Sequence, residues 1–136
     1  MKSREKSISD ELVKELVEKA KAASMNARAH LSGFKVGAAI ASEDGNIYTG
    51  CNIEFDNYSN TIHAEEAAIS AFVSAGETNP LAIAVATSGQ KVQFPCGMCL
   101  QSLFELGGPT LKIIACNNEK CKIKTIGELL PSGFRL

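Results

Sequence analysis

The sequence predicts an α/β protein, a three-layer α/β/α arrangement around a five-stranded mixed sheet, and three observations carry this. Two short apolar runs, Leu81 to Ala86 and Leu111 to Cys116, have the unbroken character of strands buried on both faces. A helical segment carrying Leu100, Leu103, Phe104 and Leu106 separates them, which makes the pair parallel with a right-handed crossover. Only residues 117–122 connect the second run to a last strand at residues 123–126. A parallel return needs a dozen residues or more, so this strand returns antiparallel.

The remaining elements follow in order. Ser9-Asp10 is a helix-start signal, and Leu12, Val13, Leu16, Val17 and Ala20 then recur at helical spacing, giving a first helix over about residues 10–25. Its Lys and Glu positions form a solvated face. Phe34, Val36, Ala38 and Ile40 alternate with smaller residues, Ser42 to Asn46 supply a turn, and residues 47–53 return as a second strand, so the two form an antiparallel hairpin. The Ala-rich stretch 61–75, closed by Gly76, is the second helix. A third starts near Pro95-Cys96 and stops at Gly107-Gly108.

Composition narrows the function. The chain has 136 residues, 14 Lys+Arg against 15 Asp+Glu, and is 45% hydrophobic, as expected for one soluble domain over residues 1–136. No apolar run approaches a membrane span, and no basic stripe suits a polyanion, so neither a membrane nor a nucleic acid is the expected partner. A small-molecule substrate is. The first ten residues carry charges and no apolar stretch, which places the chain in the cytoplasm, where thiols stay reduced and a close Cys pair is more often a metal or redox site than a disulfide. Of the five cysteines, Cys51 reads as a small buried hydrophobe, and Cys116 and Cys121 as incidental thiols flanking a hairpin.

The chemistry concentrates at two helix starts. His63 stands two residues before Glu65 at the second helix, and Cys96 and Cys99 open the third. One imidazole and two thiolates are the N and S donors that a catalytic zinc wants, with a fourth position left for water. A zinc dication, two thiolates and a neutral imidazole sum to zero charge, and the positive ends of two helices favour the thiolates. Glu65 is then free to move protons.

His63-Ala64-Glu65 followed by Pro95-Cys96-Gly97-Met98-Cys99 is the signature of zinc-dependent deaminases. Three further stretches, Ser32 to Ala39, Gly50 to Glu54 and Glu128 to Phe134, extend the likeness over about residues 27–134, and the chain resembles the cytidine deaminases that act on free nucleosides. The antiparallel last strand agrees, since relatives that edit nucleic acids return it parallel. The resemblance implies one Zn2+ per subunit held by His63, Cys96 and Cys99, with Glu65 as the catalytic acid and base. It implies that an activated water attacks C4 of a cytosine ring, and that ammonia and a uracil nucleoside leave. Substrate-binding roles come with it: Phe34 against the base, Asn52 and Glu54 on the sugar hydroxyls, Ala64 orienting the ring, and Phe134 reaching a neighbouring subunit's pocket. It also implies a homotetramer with shared active sites and a role in pyrimidine salvage.

The chain departs from the family at several points. Glu66 and Leu100 occupy the positions of arginines that accompany a three-cysteine zinc site, which is consistent with His63 replacing one thiolate. Leu31 replaces an aromatic near the sugar, and Phe55 replaces an Asn after the ribose Glu. These changes bear on which nucleoside fits, and a modified cytosine nucleoside such as blasticidin S is the alternative substrate. Glu54 argues against it, because a buried carboxylate wants a hydroxyl partner. A non-catalytic zinc scaffold is the second alternative, opposed by Glu65. His30 is read equally as a surface loop residue or as part of the sugar pocket.

Overall fold

The computed structural model describes residues 7–136. Helix α1 (Asp10–Ser24) begins where the Ser9 Oγ accepts the Leu12 backbone N–H, with Asp10 and Glu11 on the positive end of the helix. Strands β1 (Val36–Ser42) and β2 (Ile47–Cys51) follow, then a single 3₁₀ turn, Tyr58–Asn60. Next come α2 (Ala64–Ser74), β3 (Pro80–Thr87), α3 (Gly97–Gly107), β4 (Lys112–Cys116), β5 (Cys121–Thr125) and a short α4 (Ile126–Leu129). The parallel β3–β4 pair and the antiparallel β1–β2 and β4–β5 pairs are as expected; the structure adds the sheet order, β2-β1-β3-β4-β5, and an antiparallel β1–β3 pair.

Alternation along the central strands decides which helix lies where. Ala39, Ala41, Ala82, Ala84 and Ala86 face α1, and these small side chains let the helix sit close to the sheet around Leu16 and Ala20. Gly37 makes the approach closest: a Cβ there would lie 1.9 Å from the Ala20 carbonyl oxygen. Ile40, Ile83, Val85 and Ile113 face the other way, into a core closed by Phe72, Leu100, Leu103 and Ile126 from α2, α3 and α4. Phe72 is fully buried and meets the Tyr48 ring edge-on at 5.7 Å. No helix among the described residues is long and apolar enough to cross a membrane.

Four expectations need correction. The second helix starts at Ala64, not at residue 61, because Ile53 and Ile62 exchange two backbone hydrogen bonds of 2.9 Å and hold residues up to His63 extended. The last strand starts at Cys121 and ends at Thr125, and α4 follows, entered by Thr125 accepting the Glu128 N–H. Cys51 is half-buried, since β2 is an edge strand. Cys116 and Cys121 are joined as a disulfide, because the β4–β5 register sets them directly opposite one another with Cα atoms 4.1 Å apart.

The disulfide closes a loop of sequence separation 5. A loop that short constrains the unfolded chain by about 2 kcal/mol in the chain-entropy description. Cys116→Ser with Cys121→Ser is therefore expected to lower Tm by several degrees and to match the wild type measured in excess reductant; equal Tm values in all three samples would show that the bridge adds nothing.

Candidate metal centre and active site

Both metal-ligand motifs sit at helix N-termini. His63 is the residue that caps α2, its carbonyl accepting the Ala67 N–H at 3.0 Å, and Cys96 caps α3, its carbonyl accepting the Leu100 N–H at 2.9 Å. Cys99 lies in the first turn of α3 and is buried. Two chain segments far apart in sequence thus bring three donors together. The His63 Nδ1 lies 3.3 Å from the Cys99 Sγ and 3.5 Å from the Cys96 Sγ, and all three donor atoms fall within 4.8 Å of one another. A tetrahedral zinc with Zn–S near 2.3 Å and Zn–N near 2.0 Å spaces N and S donors about 3.5 Å apart, so this group fits the ion. Both thiols are free, with no disulfide between them. Burial raises the Cys99 thiol, and Glu65 and Cys96 push it the same way, so the pocket lacks the positive charge that a thiolate needs. A divalent cation held by these donors would supply that charge.

The local sequence fixes His63 through Glu66. Its carboxylate reaches back one turn and accepts the His63 backbone N–H at 2.9 Å, satisfying a donor that the helix leaves open.

The donors border a cavity of about 500 Å³. Glu65 lines it and is 6% exposed, and this burial raises its carboxyl, opposed by its own backbone N–H and by His63. Ala64, Phe34, Asn52 and Glu54 line the same cavity, so five of the six substrate and catalytic residues expected from the sequence meet in one place. Phe34 is on the wall rather than in the core, since 36% of it remains exposed. The sixth, Phe134, does not line this cavity. It is 64% exposed in the segment after α4, where its backbone N–H donates to the side chain of Gln101 on α3 and its carbonyl accepts from it.

Asn52 and Glu54 are more engaged than a solvent-facing strand end would be. The Asn52 amide donates to the Phe34 carbonyl and accepts from the Val36 N–H, both at 2.8 Å, which ties the segment entering β1 to the segment leaving β2. One amide hydrogen and one oxygen lone pair remain for a ligand. The Glu54 carboxylate accepts the Leu31 and Ser32 N–H groups at 2.9 and 3.0 Å on one oxygen and the Ser32 hydroxyl on the other. The Ser32 hydroxyl and N–H, with Leu31, hold this carboxyl below the ordinary Glu range. A carboxyl whose native value is lowered stabilises the fold above its unfolded value, near 4.3, and that contribution fades as pH falls through the lower native value. Glu54→Gln is therefore expected to lose less Tm than the wild type between about pH 5 and pH 3, and parallel acid curves would refute the assignment.

His30 lies outside this cavity and pairs with Asp56 at 2.9 Å. Of the two departures, Leu31 borders an adjoining shallow depression that shares Ser32, Glu54 and His63 with the main cavity. Phe55 lies under the Arg28 guanidinium at 5.2 Å. Sequence reasoning missed Thr61, Thr87, Gln93 and Phe94 on the cavity wall. None belongs to a motif; Thr87, Gln93 and Phe94 arrive because β3 and the loop after it pass beside β1, and Thr61 because the extended segment before α2 pairs with Ile53.

A converged N and S donor set with a buried carboxylate beside it, in a cavity at one end of the central strands of a mixed sheet, defines a metal-centred enzyme of small-molecule substrates. The chain belongs to the cytidine and deoxycytidylate deaminase family, whose zinc-binding region matches residues 10–116. It is 40% identical over 105 residues to the cytidine deaminase of Mycobacterium tuberculosis, covering 77% of this chain and 76% of that one, and 37% identical over 123 residues to that of Sporosarcina psychrophila, covering 90% of both. Among solved structures, the cytidine deaminase from Burkholderia pseudomallei superposes with a TM-score of 0.85 at 39% identity, covering 89% of this chain and 98% of that one. The Mycobacterium tuberculosis enzyme gives 0.80 at 37% identity, with 91% and 98% covered.

Proposed function

We propose that this protein hydrolytically deaminates cytidine and deoxycytidine to uridine and deoxyuridine with release of ammonia. The observation that carries this is the convergence of His63, Cys96 and Cys99 on one point of the wall of the cavity that also holds Glu65. Zinc held by these three residues would act as a Lewis acid and activate a bound water for attack. Glu65 takes a proton from that water, delivers it to ring N3, and carries the second proton to the departing amine. Its burial keeps the proton from exchanging with bulk solvent during transfer. Phe34 and Ala64 hold the ring, while the spare polar capacity of Asn52 and Glu54 receives the sugar hydroxyls. We assign one zinc to each subunit and one catalytic domain to the chain.

The test is ammonia release by zinc-loaded protein from cytidine, deoxycytidine, 5-methylcytidine, blasticidin S and free cytosine. Turnover of cytidine or deoxycytidine, with an equal yield of the uracil nucleoside, is the expected result. Turnover of blasticidin S alone would move the substrate to modified cytosine nucleosides and leave the chemistry in place.

A homotetramer with shared sites is part of the same proposal. Support comes from the exposed apolar side chains of Val73, Met98 and Phe134 on and beside α2 and α3, and from Phe134 standing away from its own cavity. An active monomer in gel filtration would contradict it. The cytoplasm is the compartment we propose, supported by the free thiols of Cys96 and Cys99. Reducing conditions keep those ligands available and would open the Cys116–Cys121 bridge.

A further inference from the structure

Thr87 ends β3 and stands on the cavity wall with Val85, paired across the sheet with Val36 of β1. It is 6% exposed, and its hydroxyl oxygen is the only buried side-chain polar atom among the described residues without a hydrogen-bond partner. Buried hydroxyls are normally satisfied, because desolvating one without a partner is unfavourable. A Val of nearly the same shape would fill this place in the fold without that cost.

Its surroundings hold it there. The next residue, Ser88, donates its backbone N–H to the Lys35 carbonyl and accepts the Lys35 N–H on its hydroxyl, both at 3.1 Å. Gly89 then packs so close to the Phe34 ring that a Cβ would lie 3.0 Å from it. Thr87 therefore belongs to a fixed stretch of wall. On one side, across β1, lie Asn52 and Glu54; on the other the chain runs on to Cys96. That intermediate position is where a pyrimidine ring would lie between sugar-binding residues and metal donors.

We propose that Thr87 is a substrate-binding residue whose hydroxyl, turned to the cavity by rotation about χ1, hydrogen-bonds a polar atom of the bound pyrimidine nucleoside. This inference rests on the deaminase function proposed above. A hydroxyl can donate or accept, so it serves both the cytosine substrate and the uracil product. Binding that persists through turnover is uniform binding, and its loss appears in KM and not in kcat.

The experiment compares zinc-loaded wild type, Thr87→Val and Thr87→Ser. It measures uridine Kd by calorimetry, KM and kcat for cytidine, and Tm without ligand. Thr87→Val is expected to raise uridine Kd and cytidine KM about tenfold, with kcat within about twofold. Its ligand-free Tm should equal or exceed that of the wild type, since the hydroxyl removed has no partner in the free protein. Thr87→Ser keeps the hydroxyl and should restore both constants to within about twofold of wild type. Wild-type binding by Thr87→Val would overturn the inference, and so would a fall in its Tm accompanying the loss of binding, which would mark a structural partner. A wild type that neither binds uridine nor releases ammonia from cytidine would instead remove the deaminase function itself, and this inference with it.

Discussion

Glu65→Gln is expected to keep its zinc and to lose deamination, with kcat for cytidine lowered by about 10³-fold or more. The substitution preserves shape and removes only the ability to take up and deliver protons. Glu65 is 6% exposed in the first turn of α2, two residues from His63, and the amide fits the same space. Proton transfer by one positioned group contributes about 10²–10⁴-fold, and Glu65 is assigned two transfers in sequence, so the upper part of that range applies. Zinc content measured on the same samples separates this effect from metal loss. A variant with full zinc and kcat within tenfold of wild type would remove Glu65 from the mechanism.

Cys99→Ser should act on the metal. Cys99 is fully buried at the start of α3, and its thiol is the donor closest to the His63 imidazole, at 3.3 Å. A serine hydroxyl is a poor replacement, because it does not ionise as a thiolate does in a zinc site. Zinc affinity is expected to fall by more than about 100-fold, the effect that changes of outer partners alone can approach. The Tm of the wild type should rise with added zinc, since a ligand bound only by the native state stabilises it, whereas the Tm of the variant should respond little at the same zinc concentration. A chelator-competition titration giving equal affinities would exclude Cys99 as a donor.

Much of this fold is legible in the sequence because its signals are local. The unbroken runs around Ile83 and Ile113, the helix-start signal at Ser9 and the short connection before the last strand each predict their element, and the observed sheet agrees with all of them. The metal group is equally legible, since two motifs at helix starts must converge for either to be useful. What escapes is set by pairing across the sheet. The Cys116–Cys121 bridge depends on register: starting the last strand two residues late separates two cysteines that actually lie opposite. The start of α2 escapes for a similar reason, because Ile62 finds its partner in Ile53 and that pairing overrides the helical preference of its neighbours.

The substrate side was legible in part. Asn52 and Glu54 do face the cavity, but each also binds backbone of a neighbouring segment, and nothing in the residue types indicates that double use. Thr87 carries no motif at all. Its distinction, a hydroxyl without a partner, exists only once β1 and β3 are paired.

The most direct measurement strips the purified protein of metal with a chelator and follows ammonia release from cytidine as zinc is returned. Activity should vanish with the metal and return in proportion to added zinc, saturating at one equivalent per chain. Ammonia release that persists in the stripped protein, or fully zinc-loaded protein that leaves both cytidine and deoxycytidine unchanged, would contradict the account.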